Sequence, residues 1–233
     1  MRTLAVLPIK DLARAKQRLS GLLGDGTRRA LAQSMLSDVL AALRQVEGVD
    51  EVAVVSGDQT AQTVARGARR LVLPDPEQSG QSPATEIGIA HAITHNFERV
   101  LLVPGDTPLL DPGEIDSLLD RAPARGVAIV PDRHRKGTNG LVITPPGSFA
   151  PAFGPGSLER HVRMATDAGL EHEVVAVPSL LLDVDTPDDL DQLAAAVEGR
   201  HGMAPMTRGT LRQLVRSQAR ATSPGRMPYI PAA

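Results

Sequence analysis

Short, almost wholly apolar runs recur along this chain, separated by helix-like stretches, and that alternation restricts its fold more than any other feature. The runs are TLAVLPI (3–9), EVAVVS (51–56), RLVL (70–73), VLLVP (100–104), VAIVP (127–131), GLVIT (140–144), EVVAV (173–177) and LLLDV (180–184). Each has the length of a strand, yet few of them alternate apolar with polar residues. A strand needs that composition when both faces of its sheet are covered, as in mostly parallel sheets flanked by helices. The intervening stretches supply the helices. The clearest spans about 27–44, with Leu36, Val39, Leu40 and Leu43 at helical spacing, and others fall near 58–68, 85–97, 112–121, 157–169 and 187–197. The prediction is an α/β protein with helices on both faces of a mostly parallel sheet.

A chain of 233 residues holds one such domain and a short appendage. The division is expected at 1–198 and 199–233, because composition changes there. No acidic residue follows Glu198, whereas Arg200, Arg208, Arg212, Arg216, Arg220 and Arg226 do, which leaves 19 basic against 27 acidic residues in the body. So acidic a body is a poor nucleic-acid binder. Trp is absent, Tyr229 is the one tyrosine and there are three Phe, so bases find no stacking platform. The lack of cysteine excludes disulfides and thiolate chemistry. No apolar run has the length of a membrane span, and MRTLAVLPIK reads as a strand interrupted by Pro8 rather than a signal peptide. The expectation is a cytoplasmic protein with no nucleic-acid or membrane partner. In the tail, TRGTLRQLVRSQAR sets four arginines on one helical face and Leu211, Leu214 and Val215 opposite. That pattern predicts a short helix docked on the body or on a second copy in a homodimer; partial disorder is the alternative.

Two segments echo each other, LLVPGDTPLL at 101–110 and LLDVDTPDDL at 181–190. Thr followed by Pro is a good helix start, and Thr186, Pro187, Asp188 and Asp189 fit it. Capping does not account for Asp106, Asp183 or Asp185. They end apolar runs, and ligands of open parallel sheets bind outside the carboxyl ends of the strands. Asp183 and Asp185, two apart, face one way if the segment is extended. Carboxylates gathered there repel unless a cation lies among them, so a metal site is expected.

Other polar clusters carry two readings each. Lys10, Arg14, Lys16 and Arg18 follow the first run and suit a triphosphate, but equally a solvated basic face. FGPGSLERH (153–161) is a flexible turn with Ser157 as a natural N-cap, and its helix terminus suits a phosphate or carboxylate. KGTNG (136–140) is a second small-residue turn. Ser56 and Asp58 follow the second strand, where a base, a ribose or a plain helix cap fits. His91 and His95 have the spacing of a helical metal pair, but no zinc motif accompanies them, so they are expected to be exposed helix residues. No Gly-x-Ser-x-Gly elbow supports a serine triad.

Taken in order, LPIK with the downstream AKQRLS, VPGDTPLL, KGTNGLVI, FGPGSLERH and LDVDTPDDL resemble the guanylyltransferases of deazaflavin coenzyme (F-420) biosynthesis, over about residues 3–197. The resemblance implies the nucleotide-diphospho-sugar transferase (GT-A-like) fold, three layers α/β/α around a mostly parallel mixed sheet. It implies condensation of GTP with a small phosphorylated three-carbon acid and release of pyrophosphate. The family's acids are phosphoenolpyruvate, the first choice here, 2-phospholactate and 3-phosphoglycerate. It implies Asp106 and Asp183 as Mg²⁺ ligands with Asp185 beside them, and Thr138, Gly154 and Ser157 around the acid. Lys10 and Lys16 would face the triphosphate and, with Asp106, form the catalytic set; Ser56, Asp58, Glu86 and Gly105 are assigned to the nucleotide. Two departures stand out. Arg135-Lys136-Gly137-Thr138 replaces a common Gly-Thr-Gly-Thr, adding positive charge to the acid pocket. Thr85-Glu86-Ile87-Gly88 replaces Leu-Asn-x-Ala, where the Glu86 carboxylate can accept from the two adjacent donors of guanine. A cytidylyltransferase or glycosyltransferase of the same fold would share the aspartates but not need the Thr138 and Ser157 pockets. A non-catalytic GTP-sensing module would bind without releasing pyrophosphate, and the retained aspartates argue against it.

Overall fold

The computed structural model describes residues 1–199 and 202–222. Seven strands form one sheet: β1 (Thr3–Pro8), β2 (Glu51–Ser56), β3 (Leu71–Pro74), β4 (Arg99–Leu102), β5 (Gly126–Pro131), β6 (Thr138–Thr144) and β7 (Glu171–Val174). Their spatial order is β3-β2-β1-β4-β6-β5-β7. Every pairing is parallel except those of β6, which runs antiparallel to both β4 and β5. The helices are α1 (Asp25–Leu43), α2 (Gln59–Gly67), α3 (Gln81–Thr94), α4 (Pro112–Arg121), α5 (Ser157–Asp167), α6 (Pro187–Gly199) and α7 (Pro205–Thr222).

Successive strand residues point to opposite faces, and each face has its own apolar cluster. Ala5, Leu7, Val52, Val54, Leu101, Ala128 and Val130 meet α1, α2, α4 and α6 on one side. Leu4, Val6, Val55, Leu102, Ile129 and Ile143 meet α3 and α5 on the other. The expected three layers are therefore present, and the apolar composition of the strands follows from double coverage. α1 alone buries Leu31, Met35, Leu36, Val39, Leu40 and Leu43, at roughly 1.5–3 kcal/mol per large side chain.

Two expectations change. LLLDV at 180–184 is not a strand: Pro178–Leu180 forms a 3-10 turn and the stretch after it is irregular. Its letters are apolar because Leu180 and Val184 are fully buried as anchors, not because the segment is extended. Proline at 178, with no N–H to give a ladder, favours that outcome. The helix expected at 85–97 begins instead at Gln81, since Pro83 in its first turn needs no intrahelical hydrogen bond.

α7 lies across α1. The Asp38 carboxylate of α1 accepts hydrogen bonds from the backbone N–H of Met206 (3.1 Å) and Thr207 (2.8 Å), capping α7 from a neighbouring helix. The hydroxyls of Ser34 and Thr210 lie 2.7 Å apart. Ala204 and Leu211 join the cluster under α1, while Val215 is exposed. Burial holds the Asp38 carboxyl above its ordinary range, against the lowering effect of the hydrogen bonds from Thr207 and Met206. Arg200 and Arg226 fall outside the described residues, as does the side chain of Arg220.

Candidate active site

The carboxyl ends of the parallel strands open onto one edge of the sheet. Because β6 runs the other way, its beginning reaches that same edge. Between them lies a cleft of about 1170 Å³, and Lys10, Lys16, Gly105, Asp106, Thr138, Gly154, Ser157, Asp183 and Asp185 all line it. Residues from five separate stretches of sequence thus meet in one place.

Lys16 is set by the loop after β1. That loop folds through two short 3-10 turns, Leu12–Arg14 and Gln17–Leu19, pinned by the buried Leu12 and Leu19. Between the turns Lys16 adopts φ 58°, a left-handed conformation that costs a non-glycine residue about 1 kcal/mol. Its side chain is only 6% exposed, with Nζ against Asp106 Oδ2 and 2.9 Å from Asp185 Oδ1. Burial disfavours the ammonium, but the charges of Asp106 and Asp185 and their hydrogen bonds outweigh it, so Lys16 stays protonated above the ordinary lysine range. Lys10 is exposed at the mouth of the cleft.

Asp106 follows β4 at the turn Pro104–Gly105–Asp106. A Cβ on Gly105 would fall 2.3 Å from Ile9 Cδ1 and 3.3 Å from Leu36 Cδ1. Glycine there lets the turn pack on the first loop, which brings Asp106 within reach of Lys16. The second Asp-Thr-Pro is built by a reciprocal cap. Asp189 Oδ2 accepts from the backbone N–H of Asp185 (3.0 Å) and Thr186 (2.7 Å), and the Thr186 hydroxyl receives the Asp189 N–H at 3.3 Å. Those bonds from Thr186 and Asp185, and the Arg133 charge, pull the Asp189 carboxyl below its ordinary range against the opposing effect of burial. The cap fixes the Asp185 backbone and leaves its carboxylate to Lys16.

Asp183 is held differently. Asn139 Nδ2 donates to Asp183 Oδ1 at 3.2 Å and to the Leu180 carbonyl at 2.8 Å. Burial first, then the neighbouring Asp106, raise the Asp183 carboxyl above its ordinary range; the Asn139 bond works against that rise, and Asp185 adds to it. Among the described residues, no three acidic or histidine side chains are arranged as a ready-made metal cage.

The opposite wall comes from the β5–β6 hairpin and the start of α5. Asp132 accepts from the backbone N–H of Lys136 (2.9 Å) and Gly137 (2.8 Å), which curls residues 132–137 and presents Thr138 to the cleft. Gly154 (φ 119°) and Gly156 (φ 68°) take conformations that favour glycine, and Gly156, not Ser157, occupies the cap position of α5. Ser157 is the first helical residue; its N–H donates to the Gly154 carbonyl (3.1 Å) and the Leu158 N–H to the Lys136 carbonyl (3.2 Å), so what it offers the cleft is its hydroxyl at the positive end of the helix.

Three candidates are not brought to the cleft wall. The Ser56 hydroxyl accepts the Asp58 N–H at 3.0 Å. Asp58 caps α2 through the Ala61 N–H (2.7 Å) and receives the Leu12 N–H at 3.2 Å, so it braces the first loop. Glu86 is exposed on α3, placed beyond the cleft by the earlier helix start. Gln78 and Gln81 line the cleft on that side instead. Asp132 and Gln81 join the site with no motif of their own, and Asn139 comes from the KGTNG turn, whose amide donor the sequence shows. An Asn at the head of an apolar strand was the one available signal, since a buried amide must find partners. His91, half-buried on α3 rather than exposed as expected, stacks at 3.8 Å on His95, which is exposed and caps the helix.

A mostly parallel, doubly covered sheet with its cleft at one edge is a fold shared with solved nucleotidyltransferases. A nucleotidyl transferase from Methanothermobacter thermautotrophicus superposes with a TM-score of 0.65 at 17% identity, over 84% of this chain and 97% of that one. The chain belongs to the family described as guanylyl transferase CofC like, whose model matches residues 3–226. It is 49% identical to the phosphoenolpyruvate guanylyltransferase of Conexibacter woesei, over 93% of this chain and 98% of that protein. It is 32% identical to the 2-phospho-L-lactate guanylyltransferase of M. thermautotrophicus, over 86% and 88% of the two chains. No helix among the described residues is long and apolar enough to cross a membrane.

Proposed function

We propose that this guanylyltransferase joins GTP to phosphoenolpyruvate, within coenzyme F-420 biosynthesis. A phosphate oxygen of the acid forms a bond to the α-phosphorus of GTP. The bond from that phosphorus to the α–β bridging oxygen breaks, and pyrophosphate leaves with the electron pair. The product is a guanosine diphosphate-linked acid. The attacking phosphate is already largely ionised at neutral pH, its second pKa being about 6, so no general base is required. The difficulty is bringing one anion to another, and positioning with charge stabilisation meets it.

The observation that carries this reading is the convergence of Lys16 and the Asp106–Asp183–Asp185 trio with Thr138, Gly154 and Ser157 in a single cleft. The first group suits a triphosphate and its cation; the second suits a phosphorylated acid. The donor set fits Mg²⁺. An all-oxygen trio with a raised Asp183 wants a cation, the Lys16 ammonium stands in for one, and Mg²⁺ takes only one or two carboxylates plus phosphate oxygens rather than a closed cage. Bound Mg²⁺ would neutralise charge on the reacting phosphates. Lys16, displaced toward the triphosphate, and Lys10 at the mouth hold departing pyrophosphate. Ser157 at the α5 terminus and Thr138 hold the acid. Gln81 replaces Glu86 as the side chain placed to read the base.

Pyrophosphate release measured over four nucleoside triphosphates, each with phosphoenolpyruvate, 2-phospholactate and 3-phosphoglycerate, tests the reading. GTP with phosphoenolpyruvate should give the highest kcat/KM; turnover with CTP alone, or with none of the acids, overturns it.

A further inference from the structure

His161 is completely buried behind the acid wall, one helical turn past Ser157, and its ring is engaged at both nitrogens. The backbone N–H of Ala152 donates to Nε2 at 2.9 Å. Nδ1 lies 2.9 Å from Thr138 Oγ1. An amide N–H can only donate, so Nε2 must present its lone pair, and a neutral imidazole then carries its proton on Nδ1. Burial, helped by the Arg160 charge, keeps the ring neutral down to about 4. Thr138 is therefore the acceptor in its contact with His161. A hydroxyl that accepts from one side keeps its single hydrogen for another partner, and the side of Thr138 not occupied by His161 is the cleft it lines.

The ring is also fixed in orientation. Phe149 and Phe153 meet it edge to face, with centroids 5.6 and 5.3 Å away, and they are two of the three phenylalanines in the chain. The one imidazole thus joins β6, the turn before α5 and α5 itself, the three pieces that make the acid wall.

We propose that His161 is a positioning residue for the acid substrate: its Nδ1–H fixes the Thr138 hydroxyl as a hydrogen-bond donor aimed at the anion in the cleft. The proposal rests on the guanylyltransferase reading for the identity of that anion. A histidine that merely braced the Ala152 turn would carry the same tautomer, but its replacement would leave KM for the acid unmoved.

Two variants separate the ring's two bonds. In His161→Asn the amide nitrogen takes the place of Nδ1 and keeps the donor to Thr138. In His161→Gln the amide lies near Nε2, where its oxygen meets the Ala152 N–H and the donor to Thr138 is lost. With the acid that the wild type uses best, His161→Asn should hold KM for the acid within about threefold, whereas His161→Gln should raise it about tenfold or more, the loss expected of a hydrogen bond to a charged group. KM for GTP should stay within about twofold in both. Equal rises in the two variants, or a parallel rise in KM for GTP, overturn the proposal. Should neither variant fold, long-range ¹H–¹⁵N correlation of the wild-type ring, without and with the acid, still tests it: a proton on Nδ1 whose shift moves when the acid binds is expected, and a proton on Nε2, or a ring indifferent to the acid, overturns it. A wild type inactive on all three acids would refute the proposed function, a result distinct from either outcome of the tautomer measurement.

Discussion

Lys16→Met separates the roles assigned to the lysine and to the metal. The ammonium it removes is 6% exposed and bridges two carboxylates, Asp106 at 30% and Asp185 at 48% exposure. Breaking a fully buried ion pair costs about 3–5 kcal/mol, because the remaining charge is stranded. Here both carboxylates reach water once the lysine is gone, so the cost should fall to about 1–2 kcal/mol. In a domain of this size that lowers Tm by about 2–8 °C without metal. Addition of Mg²⁺ should have the opposite bias. In the wild type the cation must displace Lys16 from Asp106 and Asp185; in the variant it need not. The same 1–2 kcal/mol then appears as Mg²⁺ binding about 5–30 times tighter to Lys16→Met. Turnover should nevertheless be lost, since no ammonium remains for the triphosphate. Thermal melts across a Mg²⁺ titration of both proteins, with a pyrophosphate-release assay, read all three effects. Identical Mg²⁺ dependence of Tm in the two proteins would refute the idea that lysine and cation compete for the trio.

Asp183→Asn should lower kcat on the order of 100-fold or more with the fold intact by circular dichroism, because charge stabilisation of the transition state is lost; near-normal turnover would remove Asp183 from the metal set. Ser157→Ala should raise KM for the acid more than KM for GTP, the pattern of lost ground-state binding, and the reverse pattern would move the α5 terminus to the nucleotide side. For His161 the folded pKa is about 4 against 6.5 when unfolded, so unfolding takes up a proton between those values and stability falls as pH drops through the window. Urea melts should show the wild type losing about 2 kcal/mol more than His161→Asn between pH 7.5 and 5. Asp38→Ala leaves the N–H groups of Met206 and Thr207 without their cap, which should cost about 1–2 kcal/mol and speed hydrogen exchange in α7, while KM for GTP stays unchanged.

The layers and most elements were legible because double burial leaves a plain mark: apolar runs of strand length with helical periods between. The same mark misled at 180–184, where Leu180 and Val184 are buried as loop anchors, since composition records burial and not backbone direction. The carboxylate trio was legible because capping could explain Thr186 and Asp189 but not Asp106, Asp183 or Asp185. What holds the trio was not. Asn139 meets Asp183 across 44 positions of sequence, and Lys16 meets Asp106 across 90, and no local pattern encodes such pairs. Ser56 and Asp58 were plausible for a nucleotide by place alone, and only the three-dimensional contacts show them bracing α2 and the first loop. Glu86 was assigned to the base through its place in the family's motif, whereas α3 begins at Gln81 and leaves Glu86 exposed in its second turn.

The reversed strand has a consequence for how this enzyme can vary. The loops after β1 and β4 build the lysine side of the cleft, the β5–β6 turn and the start of α5 build the opposite wall, and the chain after β7 returns to the lysine side with Asp183 and Asp185. Among the strands β6 lies between the two walls, and its first residues tie them together, Thr138 to His161 of α5 and Asn139 to Asp183. Mutations in the β5–β6 turn and at the start of α5 can therefore accumulate on one wall while the lysine and aspartate side is inherited unchanged. A change at the head of β6 has no such freedom, because it is felt by both walls at once.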